Sequence, residues 1–417
     1  MIDIRFDNKE FNFKNGLKLI TVKKDTELFS IDIGIKIGAY YENDKNRGIS
    51  HFIEHMLFKG TKKRSNELLN KELEFLGGEY NAYTNYNTTV FNISCLKEEC
   101  RNAVELLGDM VMNSVFDEEE MKREKGVVIS EIRSARDDVA EFSANQAFNY
   151  AFEKSPLRYE VAGFEDIVSG FTRDELLEYY KNNYTPDNTV ITVVSPFDHK
   201  TVYNMISDEF SEWTGTCSID RSIIREDNKN EEFVSCRKDI EQSTITIIYS
   251  FIDLDKEDEL ALKILNHQLG ESANSILFRE LREKRGLVYD IYTDLDLCHN
   301  AKTLCIYTAT HDSKVEEAKD AIFKCIDDVK NEKIIFNERT LELMKKVHKT
   351  SVISTFEDGS DLGNYILTQN LEGQNIYEFL EDMNKLEMLD SADIYKVARK
   401  ILNKPTVYML RGSDTDE

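Results

Sequence analysis

The sequence is poor in the residue types that mark disordered or nucleic-acid-binding chains. It has only 4 prolines in 417 residues and no low-complexity run, so its composition is not that of a disordered chain. Its 53 basic residues face 78 acidic ones, which gives a formal net charge of −25. Because phosphate groups are bound by basic surfaces, this deficit argues against a nucleic acid or an anionic membrane as the partner.

Export and membrane signals are also missing from the pattern. No apolar run approaches the roughly 18 residues that a spanning helix needs. The first residues, MIDIRFDNKE, lack the basic start and apolar stretch of a signal peptide. The 7 cysteines are odd in number and form no CxxC pair, which indicates reduced thiols. From the sequence we therefore expect a cytoplasmic location.

The residues that are present follow one order of strand and helix patterns twice. In each half an alternating strand pattern is followed by helical patterns, and a buried strand closes the half. This predicts an α+β fold of two repeated α/β sandwich domains, each a mostly antiparallel sheet with helices packed on one side. We place the domains at residues 1–213 and 233–417, with residues 214–232 as a polar linker.

Two short signals predict where particular elements begin or turn. Asn15-Gly16 lies between two apolar runs and predicts a hairpin. Thr172 with Glu175, and Ser313 with Glu316, have the spacing of capping boxes that open helices.

One pentad carries the chemistry of the first half. Residues 51–55 read HFIEH within a helical apolar pattern. Residues four apart lie on one face of a helix, so His51 and His55 can offer two imidazoles to a single metal ion. Glu54 borders that face and can accept a proton from a metal-bound water. A catalytic zinc usually has three protein ligands, so a third must come from elsewhere. The acidic helix predicted at 117–138 is rich in candidates.

The pentad and its surroundings resemble a known family. HxxEH is the inverted zincin motif, and HFIEHMLFKGT resembles the pitrilysin-type (M16) zinc peptidases, in particular the short-chain branch of the mitochondrial processing peptidase. The resemblance implies a Zn²⁺ cofactor, with Glu131 within EKGVVISEI as the third ligand. It also implies that Glu124 orients a ligand and that Glu54 is the general base of a metalloendopeptidase.

Two further segments extend the resemblance to substrate contacts. FLGGEYNAYTNYNTTVF resembles the family segment beside the sheet edge to which substrate peptides add, which implies contacts from Asn81 and Ala82. LFRELREKRGLVY resembles the segment in which an arginine and a tyrosine contact the substrate carbonyl, here Arg282 and Tyr289. A glycine-rich run that often precedes this segment is replaced by HQLGESANSILF.

The family also implies an assembly. Long members close four such domains around a chamber, so a chain with two domains would be half of a clamshell. Because this chain carries both the predicted zinc site and the Arg–Tyr pair, we expect a homodimer, with a heterodimer containing a related subunit as the other arrangement. Substrates would be unstructured peptides or leader segments. The alternative function is a non-catalytic or peptide-capturing subunit of a heterodimeric processing peptidase.

Four histidines have no ligand-like spacing, and we interpret them as structural. They are His199, His299, His311 and His348. His267, near the second half's counterpart of the pentad, is interpreted as a vestige or a packed core histidine.

Overall fold

The computed structural model describes residues 5–298 and 300–412. These residues fall into two compact units. The first unit comprises residues 5–133, 160–222 and 352–380, and the second comprises the remainder. Each unit thus includes a segment from the other half of the chain. The domain boundary predicted at 214–232 stays a prediction, and between Phe210 and Glu232 the described chain forms no helix or strand.

The first unit contains a six-stranded sheet in the order β1-β2-β6-β3-β5-β4. Only the β2–β6 pairing is parallel, and the other neighbours are antiparallel. Asn15-Gly16 lies in the turn between β1 and β2, as its sequence predicts. The strands are Asp7–Asn12 (β1), Lys18–Lys23 (β2), Leu28–Ile35 (β3), Glu79–Thr84 (β4), Thr89–Leu96 (β5) and Thr189–Ser195 (β6).

The second unit contains a five-stranded sheet in the order β7-β11-β8-β10-β9. Its β7–β11 pairing is parallel and the others are antiparallel. The strands are Glu232–Arg237 (β7), Ser243–Ser250 (β8), Val288–Asp296 (β9), Thr303–Thr310 (β10) and Thr406–Gly412 (β11).

Fourteen α-helices are present among the described residues. They are Ile49–Leu57 (α1), Asn66–Phe75 (α2), Cys100–Asn113 (α3), Glu118–Asp137 (α4), Val139–Ala151 (α5), Glu165–Gly170 (α6), Arg173–Asn183 (α7), His199–Phe210 (α8), Lys256–Asn266 (α9), Val315–Lys330 (α10), Glu338–Glu357 (α11), Gly359–Leu371 (α12), Glu378–Met388 (α13) and Ser391–Ile401 (α14). None of the described helices combines the length and apolarity required to cross a bilayer.

The α+β class and the mostly antiparallel sheets are confirmed, but the helices do not pack on one side only. On one face of the first sheet, α1, α3 and α8 cover a core that includes Ile31 and Ile33 of β3. On the other face, Leu362 and Ile366 of α12 pack against β2 and β6. A strand covered on both faces is apolar throughout instead of alternating, and β6 is buried at all its positions.

Candidate metal centre

Helix α1 is fixed at its first turn by a buried carboxylate. The Glu42 side chain accepts hydrogen bonds from the backbone N–H groups of Gly48 and Ser50, both at 2.8 Å. These two N–H groups belong to the first turn, where no intrahelical acceptor is available. Gly48 has φ +90°, and a Cβ there would lie 2.4 Å from the carbonyl oxygen of Ala162. The start of the helix that carries HxxEH is thus held by two hydrogen bonds and by close packing.

The two histidines of the pentad turn their imidazoles toward each other and toward α4. The Nε2 atoms of His51 and His55 are 3.3 Å apart, and His55 Nε2 lies 3.4 Å from Glu131 Oε2. Ligand atoms from the three residues all lie within 4.8 Å of one another. Among the residues that the structure describes, this is the only such group of three or more His, Cys, Asp or Glu side chains.

The donor set fits a zinc ion. Bonds of about 2.0–2.1 Å in a tetrahedron place neighbouring donor atoms about 3.3 Å apart. The His51–His55 and His55–Glu131 separations are close to that length. Two imidazoles and one carboxylate also make a set found in catalytic zinc sites, which leave the fourth position open. The structure therefore brings together His51 and His55, which the spacing predicts as ligands, and Glu131, which the resemblance implies, although their role as ligands stays a prediction.

Glu124 lies two turns before Glu131 on α4 and supports His55. Its Oε1 accepts a hydrogen bond from His55 Nδ1 at 2.9 Å, and its Oε2 lies 2.9 Å from Lys59 Nζ. A carboxylate on Nδ1 fixes the tautomer in which Nε2 presents its lone pair. His51 has no such support, because its buried Nδ1 has no hydrogen-bond partner among the described residues.

Glu54 lies on the same helix and is held by the sheet. It is buried, and its Oε2 accepts a hydrogen bond from Thr84 Oγ1 at 2.6 Å. Burial raises the pKa of the Glu54 carboxyl, while the Thr84 hydroxyl and the charge of His55 oppose that rise. Burial would lower the pKa of His55, but Glu124 and the other nearby carboxylates outweigh it and raise that pKa. Burial lowers the pKa of His51 to about 4, so its imidazole is neutral at pH 7.

Asn81 and Ala82 lie on β4, the edge strand of the first sheet, whose last residue is Thr84. The Asn81 side chain is exposed and Ala82 is half-buried. An edge strand offers unpaired backbone groups to an added strand. The strand that carries Asn81 and Ala82 therefore ends at Thr84, the residue that hydrogen-bonds Glu54.

Arg282 and Tyr289 belong to the second unit. Arg282 is exposed in a π-helical segment, Phe278–Lys284, with its guanidinium 4.8 Å from the centre of the Phe278 ring. Tyr289 is 54% exposed on the edge strand β9. The pairing of β9 with β10 skips from Asp290 to Val288, so Tyr289 is the extra residue of a β-bulge. Bulges re-aim side chains at sheet edges.

Sequence reasoning missed two members of the arrangement, Thr84 and Lys59. Thr84 ends the NAYT segment that was interpreted only for Asn81 and Ala82. Lys59 follows His55 by four residues, which is the one signal in the sequence that places it near that side chain. Neither position could be assigned a partner without knowing how β4 and α4 pack against α1.

The remaining histidines have ordinary surroundings where the structure describes them. His199 binds Thr21 Oγ1 through Nδ1 at 2.8 Å, and the His311 side chain accepts from the backbone N–H of Ser313. His267 and His348 both line a cavity of about 510 Å³ in the second unit. His299 lies outside the described residues.

Comparison with known proteins gives consistent matches. A family model described as "Insulinase (Peptidase family M16)" matches residues 18–163, and one described as "Peptidase M16 inactive domain" matches residues 170–347. A Rickettsia bellii protein named "Uncharacterized zinc protease" is 30% identical over 329 residues, 77% of this chain and 79% of the relative. The mitochondrial-processing peptidase subunit beta of Dictyostelium discoideum is 31% identical over 209 residues, 49% of this chain and 44% of the relative.

The fold has close counterparts among solved structures. A protease from Helicobacter pylori superposes with a TM-score of 0.90 at 20% sequence identity, covering 97% of this chain and 99% of that one.

Proposed function

The chain belongs to peptidase family M16, and from this premise we propose that it is a zinc-dependent endopeptidase for unstructured peptides or leader segments. The observation that carries the proposal is the convergence of His51, His55 and Glu131 beside the buried carboxylate of Glu54. Zinc is the cofactor, in agreement with relatives that are named zinc proteases. When bound, a zinc ion acts as a Lewis acid and lowers the pKa of a coordinated water toward ~7.

The chain's own residues hold the metal and move the proton. His51, His55 and Glu131 would be the ligands, and Glu124 keeps His55 in the tautomer that can bind metal. Glu54 accepts the proton of the attacking water and passes it to the leaving amine. Thr84 holds the Glu54 carboxylate by one oxygen and thereby limits its rotation.

The family resemblance also suggests which residues contact the substrate. Asn81 and Ala82 would bind the peptide as a strand added to the edge of β4. Arg282 and Tyr289 would steady the negative charge that develops on the scissile carbonyl oxygen. These four roles rest on the family resemblance, and Asn81 and Tyr289 are in addition exposed on edge strands.

Two chains would form the working assembly. One chain supplies both the metal ligands and the Arg–Tyr pair, which supports a homodimer. Sedimentation of the pure protein as a dimer would agree with this, whereas a stable monomer with full peptidase activity would contradict it. The cytoplasmic location stays a prediction that cell fractionation can test.

The function is tested by substituting Glu54. We expect Glu54→Gln to retain one zinc per chain and to lower kcat for a peptide library by at least about 10³-fold, because the proton acceptor is lost. Products are followed by mass spectrometry with and without a chelator. A matched control is Glu271→Gln, which alters an exposed glutamate of the second unit and should leave cleavage unchanged.

Two results would contradict the proposal. Full activity in Glu54→Gln would exclude this residue as the base. Tight peptide binding without any turnover by the zinc-loaded wild type would favour the alternative, a peptide-capturing subunit.

A further inference from the structure

Lys59 lies just past the end of α1, and its side chain contacts Glu124, the residue that hydrogen-bonds His55. Its ammonium is 2.9 Å from Glu124 Oε2, while the other oxygen of that carboxylate accepts from His55 Nδ1. Helix α1 ends at Leu57, and Lys59 donates its backbone N–H to the carbonyl of Met56. The Lys59 backbone is therefore fixed at the end of α1, and its side chain reaches Glu124 of α4.

The contact between Lys59 and Glu124 differs from an ordinary surface ion pair. The Glu124 side chain is 6% exposed and that of Lys59 is 25% exposed. Exposed pairs contribute little, but a buried carboxylate that loses a partner leaves charge uncompensated. Among the described residues, Lys59 and His55 are the two groups that contact this carboxylate. Each of them contacts one carboxylate oxygen. Lys59 therefore helps to fix the orientation in which the Glu124 carboxylate accepts from His55 Nδ1.

We propose that Lys59 is a positioning residue for the metal centre: it holds the Glu124 carboxylate in the orientation that locks the His55 imidazole for zinc binding. This inference rests on the proposed function, since it needs the pentad to bind metal. It concerns affinity for the ion and not a step of peptide cleavage. The chain of contacts runs from the ammonium through one carboxylate to the imidazole Nδ1, and Nε2 of the same ring faces His51 and Glu131.

Zinc affinity of the full chain, measured by competition with a chromophoric chelator, tests the proposal without peptidase activity. We expect Lys59→Met to weaken zinc binding about 10-fold, within the range for partners that orient a metal ligand. Lys59→Arg keeps the charge and a donor, and should restore affinity to within about 3-fold of wild type. Lys62→Met is the matched control, because Lys62 is exposed and lies outside this chain of contacts; its affinity should equal that of wild type.

A double substitution separates this role from a general charge effect. If Lys59 acts through Glu124, then Lys59→Met combined with Glu124→Gln should bind zinc no more weakly than Glu124→Gln alone. If the methionine variant does not fold, Lys59→Gln is substituted for it in the same comparison.

The failures of the two proposals are distinguishable. Wild-type affinity in Lys59→Met, or fully additive effects in the double variant, would overturn the role of Lys59 while leaving the peptidase proposal intact. A wild-type chain that binds no zinc at this site would overturn the proposed function.

Discussion

The two units present the same order of elements but carry different chemistry in corresponding places. In the first unit β3 is followed by α1, α2, the strand pair β4–β5, α3 and α4. In the second, β8 is followed by α9, two π-helical segments, β9–β10, α10 and α11. The pentad and Glu131 lie on α1 and α4. A cavity lined by His267, Glu271 and His348 lies between the corresponding elements of the second unit.

The difference lies in how many donor atoms converge. In the second-unit cavity, His267 Nδ1 is 3.9 Å from Glu271 Oε2, and Ser351 and Met344 line the wall that α11 contributes. Within the part of the chain that the structure describes, no third donor joins His267 and Glu271 in a metal-binding group. The same order of helices and strands is therefore not enough to form a metal centre. The centre also needs a carboxylate at the position that Glu131 occupies on α4.

The largest difference is expected between two variants, one that removes a predicted ligand of the first unit and one that removes its counterpart in the second. His55→Ala should weaken zinc binding by more than about 100-fold, since it removes a ligand outright and not an orienting partner. His267→Ala should keep one zinc per chain. Metal content after dialysis, measured by atomic emission, checks both variants. Loss of that zinc from His267→Ala would mean that the metal is bound in the second unit.

The two sheets also differ on the faces that α12 covers in the first unit and α5 covers in the second. In the first unit the buried Asp32 of β3 lies against Gly363 of α12, and its Oδ2 has no hydrogen-bond partner among the described residues. In the second unit Ser143 of α5 binds the hydroxyls of Thr244 and Thr246 on β8 at 2.7 and 2.9 Å. Helix α12 thus covers a carboxyl oxygen that has no partner in the described part of the chain, whereas α5 covers hydroxyls that hydrogen-bond one another.

Asp32 should make stability depend on pH. Burial raises its pKa from 3.8 to about 8, so the folded protein retains a proton that the unfolded chain releases above pH 4. Stability is then lost as pH rises from about 4 toward 8. Asp32→Asn removes this titration, and should be more stable than wild type by about 5 kcal/mol at pH 8 but not at pH 4. Thermal midpoints at both pH values check it, and a pH-independent difference would contradict it.

A smaller effect is expected at the strand that ends beside Glu54. Thr84→Val keeps shape but removes the hydroxyl that holds the carboxylate, so kcat should fall about 10-fold with KM and zinc content unchanged. Thr84→Ser should restore most of the rate. Thr293→Val, on the corresponding strand β9, is the matched control and should leave kcat unchanged. An equal loss in both variants would point to a general packing defect.

The local parts of the site could be predicted from sequence and the long-range parts could not. The spacing of His51 and His55 specifies one helix face by itself. Glu131 was reached through the family resemblance, because the approach of α4 to α1 is a tertiary event. Lys59 and Thr84 were missed for the same reason.

The fold shows the same division. The capping box of Thr172 and Glu175 forms as predicted. Ser313 and Glu316 do not form one, because the His311 side chain binds the Ser313 N–H and draws Asp312–Lys314 into a 3₁₀ turn before α10.

Helix α12 was not predicted, and its glycines explain why. Gly359 and Gly363 disfavour a helix when they are judged locally. A Cβ at Gly363 would lie 2.4 Å from Asp32 Oδ2, so the close approach of this helix to β3 requires glycine. The Asp358 side chain, which accepts from the N–H groups of Ser360 and Asp361, is the one local signal for its start.

The smallest effect is expected from the hydrogen-bonded hydroxyl network of the second unit. Ser143→Ala removes one hydroxyl from the network with Thr244 and Thr246, and should lower the free energy of unfolding by about 1 kcal/mol. The loss should be the same at pH 4 and pH 8, because no titrating group of the network is involved, and should appear as a fall of about 2–4 °C in the thermal midpoint. A pH-dependent loss like that expected for Asp32 would show that the two helix-covered faces do not differ in the way their hydrogen bonds indicate.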